Sequence, residues 1–380
     1  MDFSLTDDQN ELVESIEKFA RKELSDDIDE NDRNGTFNYA QWEKCAEFGI
    51  MKLAFPEEYG GLGLGTQTLA LAFEALGYGA RDAGLVHAIL AHILTGIHIL
   101  NFGTEEQKIK YIPEICSGSM IGAEGMTEAD AGSDFLSILT RADKSVGGYT
   151  INGSKMFISN GPICDFCVVY AISDPARKSM GRISCFIINK GTEGFEHGKP
   201  LEKMGLRTLQ NCELVFTDCH VPASALLGRE GLGTTMFSIV MEFERILLFA
   251  TYTGTMRNII EAAVSYAKTR TQFGQPILNQ QSISHKIADM QTDLELSKLI
   301  LYKAAWKKSL GRTALLEASM CKLTISEALK RVCLNAMQIH GAYGYMREYD
   351  IEREVRDSLG ATIYSGTSEI QRNIIARLTT

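Results

Sequence analysis

Hydrophobic positions in the first part of the chain recur at helical spacing. Leu12, Ile16 and Phe19 form one such series, and a similar one begins at Leu69. Apolar residues three or four positions apart lie on one face of a helix and bury it against neighbouring elements. The pattern therefore predicts an N-terminal helical domain over residues 1–118.

The pattern changes after Gly118 to short runs of β-branched and aromatic residues separated by turn residues. Strands at such intervals are typical of a small barrel or sandwich. We therefore expect a middle β-barrel or sandwich domain over residues 119–228. The predicted strands cover residues 149–151, 156–158, 166–170, 185–188 and 214–216.

Long helical periodicity returns beyond Gly228. Long amphipathic segments joined by short loops are what a helix bundle requires. The pattern predicts a C-terminal four-helix bundle over residues 229–380 and an α+β fold for the whole chain. The four predicted helices cover residues 236–268, 283–310, 314–341 and 351–375.

Charge and cysteine usage narrow the class of protein. The formal net charge of −10 disfavours a nucleic-acid or anionic-membrane partner, because both would be repelled. The 9 cysteines are an odd number at irregular spacing, which suits a reducing compartment. Residues 1–9 are acidic and lack the basic and apolar regions of a secretory signal. We expect a cytoplasmic protein.

One apolar stretch, residues 84–102, is long enough to suggest a membrane span. It is interrupted by His87, His92, His98 and Asn101, whose polar side chains are costly in lipid. The stretch is therefore predicted to be a buried helix.

Five segments along the whole chain resemble motifs of the acyl-CoA dehydrogenase superfamily. Each is modest evidence alone, but all five occur together and in the family's order. The resemblance implies the acyl-CoA dehydrogenase fold, with its helical, β and helical-bundle domains, and an FAD cofactor. The segments are residues 55–61 (FPEEYGG), 126–134 (MTEADAGSD), 152–160 (NGSKMFISN), 270–274 (RTQFG) and 363–371 (IYSGTSEIQ).

The second of these segments is the main candidate for flavin contact. Gly132 has no Cβ, so the backbone can approach a ring closely, and nearby hydroxyls can donate hydrogen bonds to its pyrimidine edge. The alternative is a barrel loop that binds no ligand. The resemblance implies flavin contacts from this loop and the third segment, through Met126, Thr127, Gly132, Ser133, Phe157, Ile158 and Ser159.

A second group of residues resembles positions that reach the diphosphate and adenine half of an FAD held by a neighbouring subunit. The guanidinium of Arg270 offers a planar donor fork suited to phosphate, although it could instead be a solvated surface charge. The arrangement implies a homo-oligomer, usually a dimer of dimers. The further cofactor-binding residues implied by the resemblance are Phe273, Gln281, Gln338, Gly341, Ala342, Thr367 and Glu369.

The position of the catalytic base departs from most of the superfamily. The implied reaction removes the α-proton of a thioester with a carboxylate while the flavin accepts a β-hydride. Most members carry that glutamate where this chain has Ser365, whose hydroxyl is too weak a base. A minority, including isovaleryl-CoA dehydrogenase, place it on the first bundle helix, where Glu244 matches. Glu242 lies about 200° around the helix and cannot share its direction.

Burial beside substrate and flavin would raise the pKa of Glu244 towards neutrality, as a base requires. The alternative is an ordinary helix salt bridge. By resemblance, the Ser365 N–H polarises the thioester carbonyl, next to Gly366, and Arg245 is a buttress. Three further residues are predicted to close a short substrate pocket, namely Tyr364, Phe249 and His92.

Residues 82–92, 242–250 and 356–368 look like the prolyl-carrier-protein dehydrogenases and oxidases of natural-product pathways, including the anatoxin-a type. The implied substrate is an L-prolyl thioester on an acyl or peptidyl carrier protein, oxidised to a dehydroprolyl or pyrroline-carboxyl thioester. Electrons would pass to molecular oxygen or to an electron-transfer flavoprotein. The alternatives are a short branched-chain acyl-CoA dehydrogenase and a catalytically silent flavin-binding interaction protein.

Overall fold

The computed structural model describes residues 4–177 and 179–380. Residues 1–3 of the acidic N-terminal segment lie outside this part. The first helix begins where Thr6 and Gln9 form a capping box, in which each side chain accepts a hydrogen bond from the other residue's backbone N–H. The N-terminal helices are α1 (Asp7–Glu23), α2 (Ile28–Asn34), α3 (Tyr39–Phe48), α4 (Thr66–Gly79), α5 (Ala83–Phe102) and α6 (Glu105–Ser117).

The helix α5 is the central helix of this region, as the interrupted apolar stretch predicts. By length and composition it could cross a membrane, but 83% of its most apolar window is buried inside the protein. Several of its polar residues bind backbone carbonyls of the same helix. His98 Nδ1 donates to the carbonyl of Leu94 at 2.8 Å, and the Asn101 amide donates to the carbonyl of Ile97 at 2.7 Å. The helix is a core element packed on β1 and α7.

The middle region is a mixed eight-stranded sheet with the order β6-β7-β3-β2-β4-β5-β8, and β1 pairs in parallel with β4. Side chains of β4 alternate between two cores. Phe166, Val168 and Tyr170 face the helices, and Cys167 and Val169 face the interior of the β domain. The strands are β1 (Gly122–Gly125), β2 (Arg141–Ser145), β3 (Gly148–Ser159), β4 (Phe166–Ile172), β5 (Ile183–Asn189), β6 (Phe195–His197), β7 (Asn211–Pro222) and β8 (Leu226–Leu227).

Two of the predicted strands, residues 149–151 and 156–158, belong to one continuous strand, β3. The pairing of β3 with β7 shifts register between Ile151 and Gly153 and again between Lys155 and Ile158. Such irregularities bend a strand and interrupt its alternating pattern. The interruption explains why the sequence pattern resembles two short strands.

The C-terminal region contains three long helices and a fourth that is broken. A single helix predicted over residues 351–375 is wrong, because the chain leaves helical geometry between α10 and α11. Ser365 and Gly366 have φ values of 58° and 85°, and Thr367 then caps α11. The elements are α7 (Gly233–Thr269), the hairpin strands β9 (Thr271–Gln272) and β10 (Gln275–Pro276), α8 (Gln281–Ser309), α9 (Leu315–His340), α10 (Ile351–Gly360) and α11 (Ser368–Thr379).

A close crossing joins the N-terminal helix α4 to the bundle helix α7. A Cβ atom at Gly77 would lie 2.0 Å from the carbonyl oxygen of Thr251, and one at Gly254 would lie 1.9 Å from the carbonyl oxygen of Glu74. The two backbones can meet only because neither glycine has a side chain. This crossing fixes α7 against the rest of the protein.

Candidate active site

Glu244 lies on α7 and faces the turn that precedes α11. The hydroxyl of Ser365 donates a hydrogen bond to its carboxylate Oε1. Burial is the main cause that raises the pKa of Glu244 to about 7, and the nearby carboxyl of Glu124 raises it further. The Ser365 hydrogen bond acts in the opposite direction. A carboxyl with this pKa can act as a general base near neutral pH.

Glu242 points to another side of α7, as helix geometry predicts. Its carboxylate accepts hydrogen bonds from Lys308 Nζ at 2.8 Å, the Thr313 hydroxyl at 2.8 Å and the Ala314 N–H at 2.9 Å. Because three donors of the α8–α9 connection bind it, Glu242 has a structural role and is not a candidate base.

The turn at Ser365 and Gly366 is held by side chains from two helices. Arg245 Nε donates to the Ser365 carbonyl at 3.3 Å, and Gln371 Nε2 donates to the Ser365 and Gly366 carbonyls at 3.0 and 2.9 Å. Arg245 Nη1 also reaches the hydroxyl of Ser319 on α9 at 3.4 Å. Arg245 thus connects α7 to this turn and to α9, and its role as a buttress stays a prediction.

Four rings form a cluster beside this turn. The hydroxyls of Tyr364 and Tyr252 share a hydrogen bond. The ring of Phe249 lies 5.5 Å from that of Tyr252 and 6.5 Å from that of Tyr364. The His87 ring meets Tyr364 edge-on at 5.0 Å, and burial lowers the pKa of His87 to about 4, so that it is neutral at pH 7. Phe249 and Tyr364 therefore lie in one cluster, and their role in closing a substrate pocket stays a prediction.

His92 does not belong to this group. Its Nδ1 accepts a hydrogen bond from the Gly122 N–H at 3.1 Å, and its Nε2 contacts the carbonyl of Ile115 at 3.0 Å. The ring is fully buried and packs edge-on against Trp42 at 5.0 Å. The prediction that His92 closes the substrate pocket is wrong, because both ring nitrogens bind backbone groups in the core.

A buried polar group that the motifs did not reveal lies between α5 and the sheet. His98 Nε2 lies 2.6 Å from the Tyr170 hydroxyl and 3.5 Å from Glu124 Oε1. Burial raises the pKa of Glu124 to about 8 and lowers that of His98 to about 4. The sequence signal that could have revealed this group is Glu124 itself, a carboxylate among the small residues of the run 122–125 and two positions before Met126.

The predicted flavin loop follows β1 directly and is supported by a buried ion pair. Lys155 Nζ lies 2.7 Å from the Glu128 carboxylate and donates to the Met126 carbonyl at 3.1 Å. Glu128 also accepts the N–H groups of Leu139 and Thr140, at 2.6 and 3.0 Å. These contacts fix the two ends of a loop in which Gly132 and Ser133 are exposed, Thr127 is half-buried and Met126 is buried.

The third motif forms the end of β3, where exposed and buried side chains alternate. Phe157 is 63% exposed with φ 63°, and its carbonyl and the Ser159 hydroxyl both accept from Asn211 Nδ2, at 3.0 and 3.2 Å. Ile158 is instead buried in the β-domain core. A side-chain contact between Ile158 and a flavin is therefore not supported, because successive strand residues point to opposite faces.

A third group of predicted residues lies at the far end of α7. Arg270 ends this helix, and its guanidinium lies 5.9 Å from the ring of Tyr343. The hairpin tip carries Phe273, which is 93% exposed, and a Cβ at Gly341 would meet nothing within 4 Å. The remaining predicted members Gln281, Gln338 and Ala342 are exposed as well. The residues form an open surface that could receive a ligand held by another subunit.

Two predicted cofactor residues begin α11. The Thr367 hydroxyl accepts the Ile370 N–H at 3.3 Å and so caps the helix. Glu369 is exposed in the first turn and pairs with Arg372 at 3.5 Å. Both lie beside the turn that touches Glu244, and not with the group around Arg270.

Comparison with known proteins supports this arrangement. Family models for the N-terminal, middle and C-terminal domains of acyl-CoA dehydrogenase match residues 6–119, 123–219 and 230–379. An L-prolyl-[peptidyl-carrier protein] dehydrogenase of Pseudomonas fluorescens is 38% identical over 99% of both chains. An acyl-CoA dehydrogenase of Bacillus subtilis is 39% identical over 98% of both chains, so overall identity alone does not separate the two substrate classes.

Solved structures show the same likeness. The prolyl acyl carrier protein oxidase AnaB superimposes with a TM-score of 0.97 at 42% identity, covering 99% of this chain and 100% of that one. PigA with FAD and proline gives a TM-score of 0.97 at 36% identity, covering 100% of this chain and 99% of that one. With all three domain models matched in order, this chain belongs to the acyl-CoA dehydrogenase family.

Proposed function

We propose that this protein is an FAD-dependent enzyme that oxidises an L-prolyl thioester carried by an acyl or peptidyl carrier protein. The observation that carries the proposal is the partly buried Glu244 carboxyl, with a pKa of about 7 and bound to Ser365 where most of the superfamily has its base. The relatives named for prolyl-carrier substrates, including AnaB, support the choice of substrate.

The residues present fit the FAD that the family implies. The exposed part of the 126–134 loop and the side chains of Phe157 and Ser159 offer a face for the flavin ring, and PigA has been solved with FAD. When bound, FAD supplies a two-electron acceptor for the hydride. Arg270, on the exposed far end of α7, is suited to the diphosphate of a cofactor held by a second subunit.

In the proposed reaction Glu244 removes the α-proton of the prolyl thioester. One carboxylate oxygen is held by the Ser365 hydroxyl, so the other is free to receive the proton. The Ser365 backbone N–H would polarise the thioester carbonyl, and such fixed donors stabilise the enolate that develops as the proton leaves. Arg245 orients the turn through its bond to the Ser365 carbonyl.

A homo-oligomer, of the dimer-of-dimers type, is part of the proposal. The outer face of α8 exposes a stripe of large apolar side chains that a second copy of the chain could cover, formed by Leu296, Leu299, Trp306 and Leu310. All nine cysteine thiols are free and buried in the part of the chain described, which fits the proposed cytoplasmic location.

The second candidate is a short branched-chain acyl-CoA dehydrogenase, which the similarity to the Bacillus subtilis enzyme favours. A catalytically silent flavin protein is disfavoured, because a carboxylate with a suitable pKa lies beside the turn that lacks the usual glutamate.

The test mixes purified holoenzyme with prolyl-loaded carrier protein and, separately, with isovaleryl-CoA, without oxygen. We expect bleaching of the flavin by the carrier substrate and a loss of ~2 Da from the bound prolyl group, because two hydrogens leave. Bleaching by the CoA ester alone would refute the proposal. Oxygen consumption during turnover then separates an oxidase from a dehydrogenase that uses an electron-transfer flavoprotein.

A further inference from the structure

Glu124 carries a carboxylate oxygen that no protein donor satisfies. Its side chain is 17% exposed, and Oε1 is buried with no hydrogen-bond partner among residues 4–177 and 179–380. Buried carboxylates are normally paired with a cation or hydrogen-bonded, since an isolated buried charge is costly. Here burial raises the pKa of Glu124, and in the part of the chain that the structure describes no neighbouring cation opposes that rise.

His98 approaches Glu124 Oε1 at 3.5 Å, but its tautomer prevents it from donating a hydrogen bond to that oxygen. His98 Nδ1 contacts the Leu94 carbonyl, which can only accept, so the proton of the neutral ring is on Nδ1. Nε2 is then an acceptor, and it takes the Tyr170 hydroxyl proton. With no proton on Nε2, the 3.5 Å approach to Glu124 is not a hydrogen bond.

The position of Glu124 points to the substrate. It lies on β1, two residues before the flavin loop begins. His98, which approaches Glu124, also binds the hydroxyl of Tyr170, and the Tyr170 ring packs 5.7 Å from that of Phe237 on α7. Phe237 is seven residues before Glu244 and therefore on the same face of that helix, and the charge of Glu124 in turn raises the pKa of Glu244. In a prolyl thioester the ring nitrogen is bonded directly to the α-carbon that loses its proton. A group that recognises this nitrogen must therefore lie beside the base.

We propose that Glu124 binds the ring nitrogen of the aminoacyl substrate by accepting its N–H at Oε2, the carboxyl oxygen on the exposed part of the side chain, and so selects an α-amino thioester over a plain acyl thioester. The inference rests on the proposed function and names the residue that sets its substrate class. A cationic nitrogen near both carboxyls favours the ionised form of each, so the correct substrate also favours the active form of Glu244. A neutral acyl group would leave Glu124 unpaired and supply no such charge.

The test compares two ring substrates on the same carrier protein, the prolyl thioester and the cyclopentanecarbonyl thioester, which lacks the nitrogen. We expect the holoenzyme to prefer the prolyl group, by kcat/KM, at least about 10-fold, and Glu124→Gln to lower the prolyl value about 10- to 100-fold, mainly through KM. The cyclopentanecarbonyl value should stay within twofold. Glu196→Gln, at an exposed position on β6, is the matched control and should change neither.

Two outcomes overturn the inference alone while prolyl oxidation by the unaltered enzyme stands. One is prolyl turnover by Glu124→Gln within twofold of that enzyme, and the other is an equal loss on both ring substrates. Glu124→Asp keeps the charge and should lose less than Glu124→Gln, so equal losses also count against the inference. If the unaltered enzyme fails to oxidise the prolyl thioester but oxidises isovaleryl-CoA, the proposed function and this inference fall together. Flavin absorbance of each variant reports whether the fold is retained.

Discussion

The hydroxyl of Ser365 donates its hydrogen bond to the carboxylate of Glu244 across 121 positions of the sequence. The residue that replaces the usual glutamate of the superfamily therefore contacts the carboxylate that we propose has taken over its role. Because this bond stabilises the ionised carboxylate, it opposes the effect of burial on the pKa of Glu244. Serine at 365 thus adjusts the base without acting as one.

Glu244→Gln should preserve the fold and flavin absorbance but slow flavin bleaching by prolyl-loaded carrier by about 10²- to 10⁴-fold, because an amide cannot accept the α-proton. Anaerobic rapid mixing measures this rate. The matched control is Glu242→Gln on the same helix. It should lower the free energy of unfolding by about 1–3 kcal/mol, by weakening contacts to Lys308 and Thr313, while the bleaching rate stays within twofold. Equal rates for Glu244→Gln and the unaltered enzyme would contradict the assignment.

The bleaching rate should rise as the pH increases through about 7, because Glu244 is protonated and inactive below its pKa and ionised above it. Ser365→Gly removes the hydroxyl while keeping a residue that tolerates φ 58°. Loss of the hydrogen bond should raise the pKa of Glu244 and move this limb of the profile to higher pH. If the rise in rate occurs at the same pH in Ser365→Gly and the unaltered enzyme, the hydrogen bond does not alter the pKa of Glu244. Stopped-flow measurements from pH 5.5 to about 9 cover the expected range.

Gly254→Ala should lower the free energy of unfolding by at least about 1–3 kcal/mol, because the new Cβ would overlap the Glu74 carbonyl on α4. Equilibrium denaturation in urea measures the change. At Gly65, by contrast, a Cβ would meet nothing within 4 Å. Gly65→Ala should cost less than about 1 kcal/mol, as expected for an N-cap position. Similar losses in the two variants would mean that the α4–α7 crossing adapts.

Trp306→Glu should reduce the assembled mass and weaken FAD retention. The proposed oligomer covers the apolar stripe on α8, and a charge there would be buried at the interface. Light scattering after size-exclusion chromatography gives the mass, and the ratio of flavin to protein absorbance gives FAD content. Ile109→Glu places the same charge on α6, at a side chain that is 62% exposed, and should leave both unchanged. An intact assembly in Trp306→Glu would exclude this stripe as the interface.

The sequence predicted most of the architecture because that information is local. Helical spacing identified the three long bundle helices, short runs of β-branched and aromatic residues identified the middle sheet, and the family resemblance was confirmed by the domain models. The prediction of a single helix over residues 351–375 failed because a few residues there leave helical backbone geometry. The helix α10 ends at Gly360, Ser365 and Gly366 adopt positive φ values in the connection that follows, and Thr367 then starts α11, while the apolar spacing continues across the break.

Contacts between elements that are distant in the sequence also limited what the sequence could predict. The 200° separation of Glu242 and Glu244 follows from one helix and could be predicted. By contrast, the environments of His92 and His98, on the same apolar helix, depend on which strand or helix lies opposite each ring. Spacing along α5 does not carry that information. Glu124 was missed for the same reason, because its unsatisfied oxygen is apparent only once α5 covers β1.

The unbroken helix α7 carries Glu244 in its first third and ends at Arg270, and the distance between these two residues along the helix is about 39 Å at the usual rise per residue. Inserting one residue within this span would rotate one end by ~100° relative to the other. The base would then turn away from Ser365, or the Arg270 end would turn away from Tyr343. Surface loops in general tolerate changes of length, but this span can change only by substitution, because its residue count sets the angle between its two ends.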